Sequence, residues 1–232
     1  MSPTRAVLFD LDGTLIDTAP DFVVVLNRLL ERHGQQPLAA ERIRQTVSDG
    51  AGALVTLGFG VTAEDPRHEP LRQQLLELYG THLAVESQLF AGMEQLLDAL
   101  DAARIAWGVV TNKPLLYADP LMRALALDTR CGTLICPDHV QRRKPDPEAL
   151  LLACERLGAS PVHSIYVGDH RRDIEAGQRA GMVTIACTYG YILAHDPCHG
   201  WGADYVIDTP NDLFELLGNE LRLSVAHRGV SL

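Results

Sequence analysis

Asp10 and Asp12 stand two residues apart in Phe9-Asp10-Leu11-Asp12-Gly13-Thr14. In an extended segment that spacing points both carboxylates the same way. Asp10 closes an apolar run, where rigid backbone can aim a carboxylate as a nucleophile. Asp12 is near enough to protonate a leaving group. Gly13 permits a sharp turn, and the N–H groups of Leu11 to Gly13 can hold anionic oxygens. Three further elements carry matching chemistry: Thr111-Asn112, Lys144-Pro145, and Gly168-Asp169 with Asp173. Together they gather four carboxylates, a hydroxyl and one lysine. The carboxylates would repel one another in an empty site, so the set calls for a divalent cation, and oxygen-only donors favour Mg²⁺ over zinc. Thr111 can donate its hydroxyl to a phosphoryl oxygen, and Lys144 supplies positive charge where a transferring group becomes crowded with negative oxygens.

Each element has an ordinary structural role as well. Asp-Leu-Asp-Gly-Thr alone is a strand-ending turn, and Thr111-Asn112 can cap the helix that opens near Pro114. Lys144-Pro145-Asp146-Pro147 can be a helix entry, and Asp173 a favourable first-turn charge. It is their order and spacing along one sheet that argue for a joint site.

Short apolar runs at Arg5 to Asp10, Ala106 to Thr111, Thr133 to Cys136, Ser164 to Gly168, Val183 to Cys187 and Tyr205 to Ile207 predict strands. Helical spacing falls between them at Gly92 to Ala103, Pro114 to Leu127 and Asp146 to Leu157. The alternation predicts an α/β protein with a parallel sheet covered by helices on both faces. All four chemical elements then lie at carboxyl ends of strands, where open parallel sheets collect their ligands. Between Asp17 and about Gln88 no strand is predicted, only helices at Phe22 to His33, Ala39 to Val47 and Leu71 to Leu83. That stretch is too long for an ordinary crossover. It predicts an inserted α-helical domain at 17–88 over a core formed by 1–16 and 89–232. Gly50-Ala51-Gly52 lacks the Lys-Ser or Lys-Thr of a nucleotide phosphate loop and reads as a loop of this insertion able to approach substrate. The weak pattern after Leu217 predicts a fraying tail.

The 232 residues carry 20 Lys and Arg against 30 Asp and Glu, a net charge of −10, which argues against a general nucleic-acid binder or a partner of anionic membranes. It does not exclude a phosphorylated ligand, since local charge and metal decide that. No apolar run approaches membrane-span length. Five scattered cysteines, with no C-x-x-C pair, predict reduced thiols and a cytoplasmic protein. His139 and His170 lie near the motif loops and are read as surface or supporting groups. The stretch His195 to Trp201 holds two histidines and one cysteine, too few thiolates for structural zinc. Trp201 and Tyr191 either pack this loop or line the substrate entrance.

FDLDGTLIDTAPD, VVTNKP, KPDP and VGDHRRDI followed by AGQRAGM resemble the four signature motifs of the haloacid dehalogenase superfamily, in its phosphoglycolate-phosphatase-like branch. The resemblance runs from about Arg5 to Leu217 and implies a Rossmann-like core with a helical cap. By position it implies Asp10 as the nucleophile that becomes an aspartyl phosphate, and Asp12 as acid and then base. Thr111, Asn112 and Lys144 would bind the phosphoryl group, with Gly50 and Gly52 approaching the substrate from the cap. Mg²⁺ would be held by Asp10, Asp12 (through its backbone carbonyl), Asp169 and Asp173. His170-Arg171-Arg172 places basic residues where relatives frequently carry an acidic or small one. WGVVTNKP, LICPDHV, and YGYI followed by GWGAD are more narrowly similar to bacterial N-acetylmuramic acid 6-phosphate phosphatases, which resemble phosphoglycolate phosphatases. The expected partner is a small phosphorylated metabolite, N-acetylmuramic acid 6-phosphate (in peptidoglycan recycling) or 2-phosphoglycolate, acted on by a monomer or homodimer. A sugar phosphomutase and a non-catalytic phospho-Asp switch are the alternatives. A dehalogenase has no need of Asp12 or a metal.

Overall fold

The computed structural model describes residues 6–193 and 195–226. The first strand, β1 (Ala6–Phe9), is buried throughout, and its alternate residues serve opposite faces of the sheet: Val7 and Phe9 one core, Leu8 the other. It is followed by β2 (Ile16–Asp17) and four helices, α1 (Ala19–Arg32), α2 (Ala40–Arg44), α3 (Gly50–Phe59) and α4 (His68–Thr81). The chain returns through β3 (Gln88–Leu89), antiparallel to β2, so a two-stranded ribbon marks where the helical stretch leaves and rejoins the sheet. The remaining elements alternate: α5 (Met93–Ala103), β4 (Ala106–Val110), α6 (Leu115–Ala124), β5 (Leu134–Ile135), α7 (Glu148–Leu157), β6 (Ser164–Gly168), α8 (Arg171–Ala180), β7 (Val183–Cys187), β8 (Tyr205–Ile207) and α9 (Pro210–Ala226).

Six strands form one parallel sheet in the order β5-β4-β1-β6-β7-β8, with β1 between β4 and β6. Val7, Phe9, Val109 and Val167 pack with Met93, Leu96, Leu97 and Leu100 of α5 and with Leu213 and Leu217 of α9. On the opposite face Leu8, Val110 and Tyr166 pack with Leu150 and Ala153 of α7 and Ala176 of α8. Helices therefore cover both faces, as the alternation requires. The helical stretch has a core of its own, built from Phe22, Val25, Leu26, Leu29, Ile43, Leu54, Val55, Leu71, Leu75 and Tyr79. Those residues recur at helical spacing along its helices, and Tyr191 of the sheet layer is buried with them.

One expectation needs correction. Gly50-Ala51-Gly52 is the first turn of α3 and not a loop. Glycine disfavours helix, but Leu54 and Val55 further along are completely buried, and that burial outweighs the propensity. The segment after Leu217 continues as α9 to Ala226, while Arg5 and residues 227–232 lie outside the described residues. Among the described residues, no helix is long and apolar enough to cross a membrane.

Candidate active site

Asp10 immediately follows β1, its N–H donating to the carbonyl of Val167 on β6 at 2.9 Å. The carboxylate is held by its neighbours: Oδ1 accepts from the Leu11 N–H at 2.7 Å and from Nζ of Lys144 at 2.9 Å. Asp12, two residues on, is occupied differently. Its Oδ1 accepts from Nζ of Lys113 at 2.9 Å and from the Thr18 hydroxyl at 2.5 Å. Between and beyond them the chain turns at Gly13, whose φ of 83° is in the left-handed region and where a Cβ would overlap the Asp169 carboxylate. Only glycine meets both demands.

Lys144 is the centre of the arrangement. Its side chain is fully buried, and Nζ contacts Asp10, Oδ1 of Asp173 at 2.7 Å, the Tyr166 hydroxyl at 2.8 Å and the Val110 carbonyl at 3.0 Å. Burial alone would depress the ammonium pKa, but the charges of Asp10 and Asp173 reverse this and raise it. Asp173 lies in the first turn of α8, where its Oδ2 accepts the His170 N–H at 3.1 Å and completes a capping box. Asp169, at the end of β6, is 1% exposed. Its Oδ1 accepts from the Thr14 hydroxyl at 3.2 Å, and its Oδ2 from the Tyr191 N–H at 2.8 Å and the Ser48 hydroxyl at 3.3 Å.

Asp10, Asp169 and Asp173 each bring a carboxylate oxygen within 4.8 Å of the others. Burial, with the like charges of Asp10 and Asp173, pushes the Asp169 carboxyl up to about 7. Burial also raises that of Asp10, against the pull of Lys144. Three hard oxygen donors crowded with so little water fit a small divalent cation, which would restore the charged forms. The Asp12 carboxylate is not part of this cluster. Its pairing with Lys113 and Thr18 leaves its backbone carbonyl as the atom it has to offer a cation.

Thr111 follows β4, its N–H donating to the Ile135 carbonyl at 2.9 Å. Its Oγ accepts from the Lys113 N–H at 3.1 Å, so the hydroxyl proton remains available to a ligand. Asn112 donates from Nδ2 to the Lys144 carbonyl at 3.1 Å, tying two motif loops together. The Lys144–Pro145 peptide is cis.

A cavity of about 610 Å³ opens above these strand ends. Asp10, Asp12, Thr111, Asn112, Lys113 and Lys144 line its floor, while Gly50, Gly52, Phe22, Tyr79 and Arg72 reach it from the helical layer. Arg143, Arg172 and His170 also line it. Asp169 and Asp173 sit behind the floor rather than on it. Phe22 and Tyr79 stack at 4.2 Å between centroids, and Lys113 Nζ lies 4.7 Å from the Tyr79 ring centre.

Lys113 is the chief residue the motif reading left without a role. It is buried, and although burial opposes its charge, Asp12 and Tyr79 raise its pKa. Its place directly after Thr111-Asn112 was the available signal. Tyr166 and Thr18 gave none, because a strand tyrosine and a turn threonine are ordinary residues. Of the two histidines, His139 accepts the Cys136 N–H at 3.0 Å and closes a turn, whereas His170 lines the cavity. Tyr191 and Trp201 both pack rather than line the entrance. The Tyr191 hydroxyl accepts from the N–H groups of Thr18 and Ala19 at 2.7 and 2.8 Å, and Trp201 packs with Ile174, Ala186 and Cys198. The cysteines are free.

Comparison with known proteins agrees with this geometry. A profile of haloacid dehalogenase-like hydrolases matches residues 7–187. A Pseudomonas aeruginosa protein named N-acetylmuramic acid 6-phosphate phosphatase is 48% identical, over 94% of this chain and 96% of its own. A Xanthomonas campestris protein named phosphoglycolate phosphatase is 39% identical, over 91% of this chain and 95% of its own. A Haemophilus somnus crystal structure, described as that of a predicted phosphoglycolate phosphatase, superimposes with a TM-score of 0.81 at 25% identity, covering 93% of this chain and 99% of that one. With its strand-end site and a profile match across most of its length, this chain belongs to the haloacid dehalogenase-like hydrolase family.

Proposed function

We propose that the chain is a Mg²⁺-dependent phosphomonoesterase that passes the phosphoryl group of a small metabolite through Asp10 to water. The observation that carries this reading is Lys144, fully buried and paired at once to Asp10 and Asp173 on the floor of the cavity. An ordinary structural lysine has no reason to be so deeply desolvated beside an acceptor-rich pocket.

Asp10 Oδ1 is fixed by Leu11 and Lys144, and Oδ2 attacks phosphorus as the ester bond breaks. Asp12 gives its proton to the departing alcohol oxygen. Its Oδ1 is pinned by Lys113 and Thr18, leaving Oδ2 to carry that proton. In the second half Asp12 takes a proton from water, water oxygen attacks phosphorus, and the bond to Asp10 breaks to release phosphate. Thr111, Asn112 and Lys144 bind phosphoryl oxygens. Asp10, Asp169 and Asp173, with the Asp12 carbonyl, would hold Mg²⁺, which when bound adds positive charge against the phosphoryl oxygens. The helical layer excludes bulk water.

The size and lining of the cavity support N-acetylmuramic acid 6-phosphate as substrate over 2-phosphoglycolate. A two-carbon acid would occupy little of a 610 Å³ space faced by Phe22, Tyr79 and Tyr117. The Pseudomonas relative's name points the same way. Direct competition between the two esters, scored as kcat/KM for phosphate release, tests the choice: the sugar phosphate should win, and a higher value for 2-phosphoglycolate overturns it. Isomerised sugar phosphate without free phosphate would mark a mutase instead. Asp12→Asn should nearly abolish turnover, whereas a phospho-Asp switch would survive it.

A further inference from the structure

Ser48 belongs to the helical layer, just before α3, yet its hydroxyl donates to Oδ2 of Asp169 across 121 positions of sequence. The same two-residue segment is held from the sheet side by α8 and the residue before it. Arg172 donates from its guanidinium to the Ser48 carbonyl, and Nε2 of His170 lies 3.5 Å from Oδ1 of Asp49. These are the basic residues that interrupt the motif after Asp169. The remaining donors to Asp169 are Thr14, within the first motif, and the Tyr191 N–H. Ser48 is thus the donor to this carboxylate that the helical layer supplies, among the described residues. A carboxylate has about four acceptor positions. With three filled by Thr14, Tyr191 and Ser48, the carboxylate is fixed in one orientation and keeps one position for a ligand.

We propose that Ser48 is a positioning residue for the cation site, and that it couples closure of the helical layer to cation binding. The inference rests on the functional reading above for the cation itself. When the layer is seated, Ser48 fixes Asp169 and Arg172 fixes Ser48. When the layer lifts, Asp169 loses that donor and turns more freely. A contact that strengthens cation binding when the layer is seated must, reciprocally, make a bound cation favour the seated state. The site would then be complete only under a closed layer, when water is already excluded from the cavity.

The test needs no turnover. Mg²⁺ alone is titrated by calorimetry into the unchanged protein and into Ser48→Ala, Ser48→Thr and Arg172→Ala, with amide hydrogen exchange of 48–52 followed with and without Mg²⁺. The expected result is Mg²⁺ binding weakened about three- to tenfold in Ser48→Ala, the range for losing one hydrogen bond of ordinary net strength, and weakened to a lesser degree in Arg172→Ala. Ser48→Thr, which keeps the hydroxyl, should bind like the unchanged protein. Mg²⁺ should slow exchange at 48–52 in the unchanged protein but not in Ser48→Ala. Equal Mg²⁺ affinity in Ser48→Ala, or exchange at 48–52 indifferent to Mg²⁺ in the unchanged protein, overturns the coupling while leaving the phosphatase reading intact. Failure of the unchanged protein to bind Mg²⁺ overturns both.

Discussion

The two walls of the cavity are built on opposite principles. On the sheet side polar groups answer one another: Lys144 is shared by Asp10 and Asp173, Lys113 holds Asp12, and Asn112 holds the Lys144 carbonyl. On the helical side the lining is mostly aromatic, aliphatic and small residues, with Ser48 and Asp49 at its edge and Arg72, whose guanidinium pairs with Glu69 of its own helix. A wall whose charges are mutually fixed is suited to transition-state work, because its dipoles need not reorganise. A wall of rings and small residues is suited to fitting the part of a substrate that does not react. Substitutions on the first should therefore fall on kcat and on stability, and those on the second on KM.

The largest effect should come from Lys144→Met. Removing this cation strands Asp10 and Asp173 in a dry interior, so unfolding free energy should fall by roughly 3–5 kcal/mol, the usual consequence of breaking a buried pair. Denaturant titration reads this, and phosphate release should disappear with it. A variant as stable as the parent would show that the pairing is not the keystone of the sheet-side wall.

Next comes an unusual pH dependence. The Asp169 carboxyl is raised from 3.8 to about 7 by burial and by its charged neighbours. The folded state therefore binds more protons than the unfolded chain between those values. Without metal, this group adds stability at low pH and loses it as pH rises through 7, the reverse of a carboxylate in an ion pair. Mg²⁺ favours the charged form, so the rise in Tm that it causes should be larger at pH 8 than at pH 5.5. Equal shifts at both pH values would contradict the buried cluster.

The helical wall gives the smaller effects. Gly50 has φ 84° and ψ −179°, a combination open essentially to glycine, so Gly50→Ala should cost about 1–3 kcal/mol and raise KM while leaving kcat nearly unchanged. Tyr79→Phe keeps the ring stacked on Phe22 and should move KM less than about tenfold. Steady-state kinetics on the same phosphate ester separate the two.

The same contrast explains what the sequence disclosed. Residues at strand ends are readable because a buried apolar run announces the strand, and its last position fixes where the next side chain goes. Asp10, Thr111 and Asp169 follow that rule, and the alternation of Val7, Leu8 and Phe9 between two cores is the same rule seen from inside. Lys144 was legible as a charge near a strand end, but not as the shared partner of Asp10 and Asp173, because that depends on three strands meeting. Asp12 shows the limit. Spacing of two shows that it follows Asp10 into the strand-end turn, but not that its carboxylate pairs with Lys113 and Thr18, since that depends on side chains brought in from elsewhere. In the helical layer, Gly50-Ala51-Gly52 read as a loop because propensity is local, while the burial of Leu54 and Val55 that makes it a helix is tertiary. Ser48 carried no signal at all, since its partner lies 121 positions away.

Asp10, fixed by Lys144, is the group proposed to take the phosphoryl transfer. Phosphate release from N-acetylmuramic acid 6-phosphate in Mg²⁺, compared between the parent and Asp10→Asn at matched folded concentration, tests it most directly. A loss of at least about a thousandfold in kcat is expected, as when a nucleophile is removed, with the fold retained. Turnover by Asp10→Asn within tenfold of the parent would contradict it.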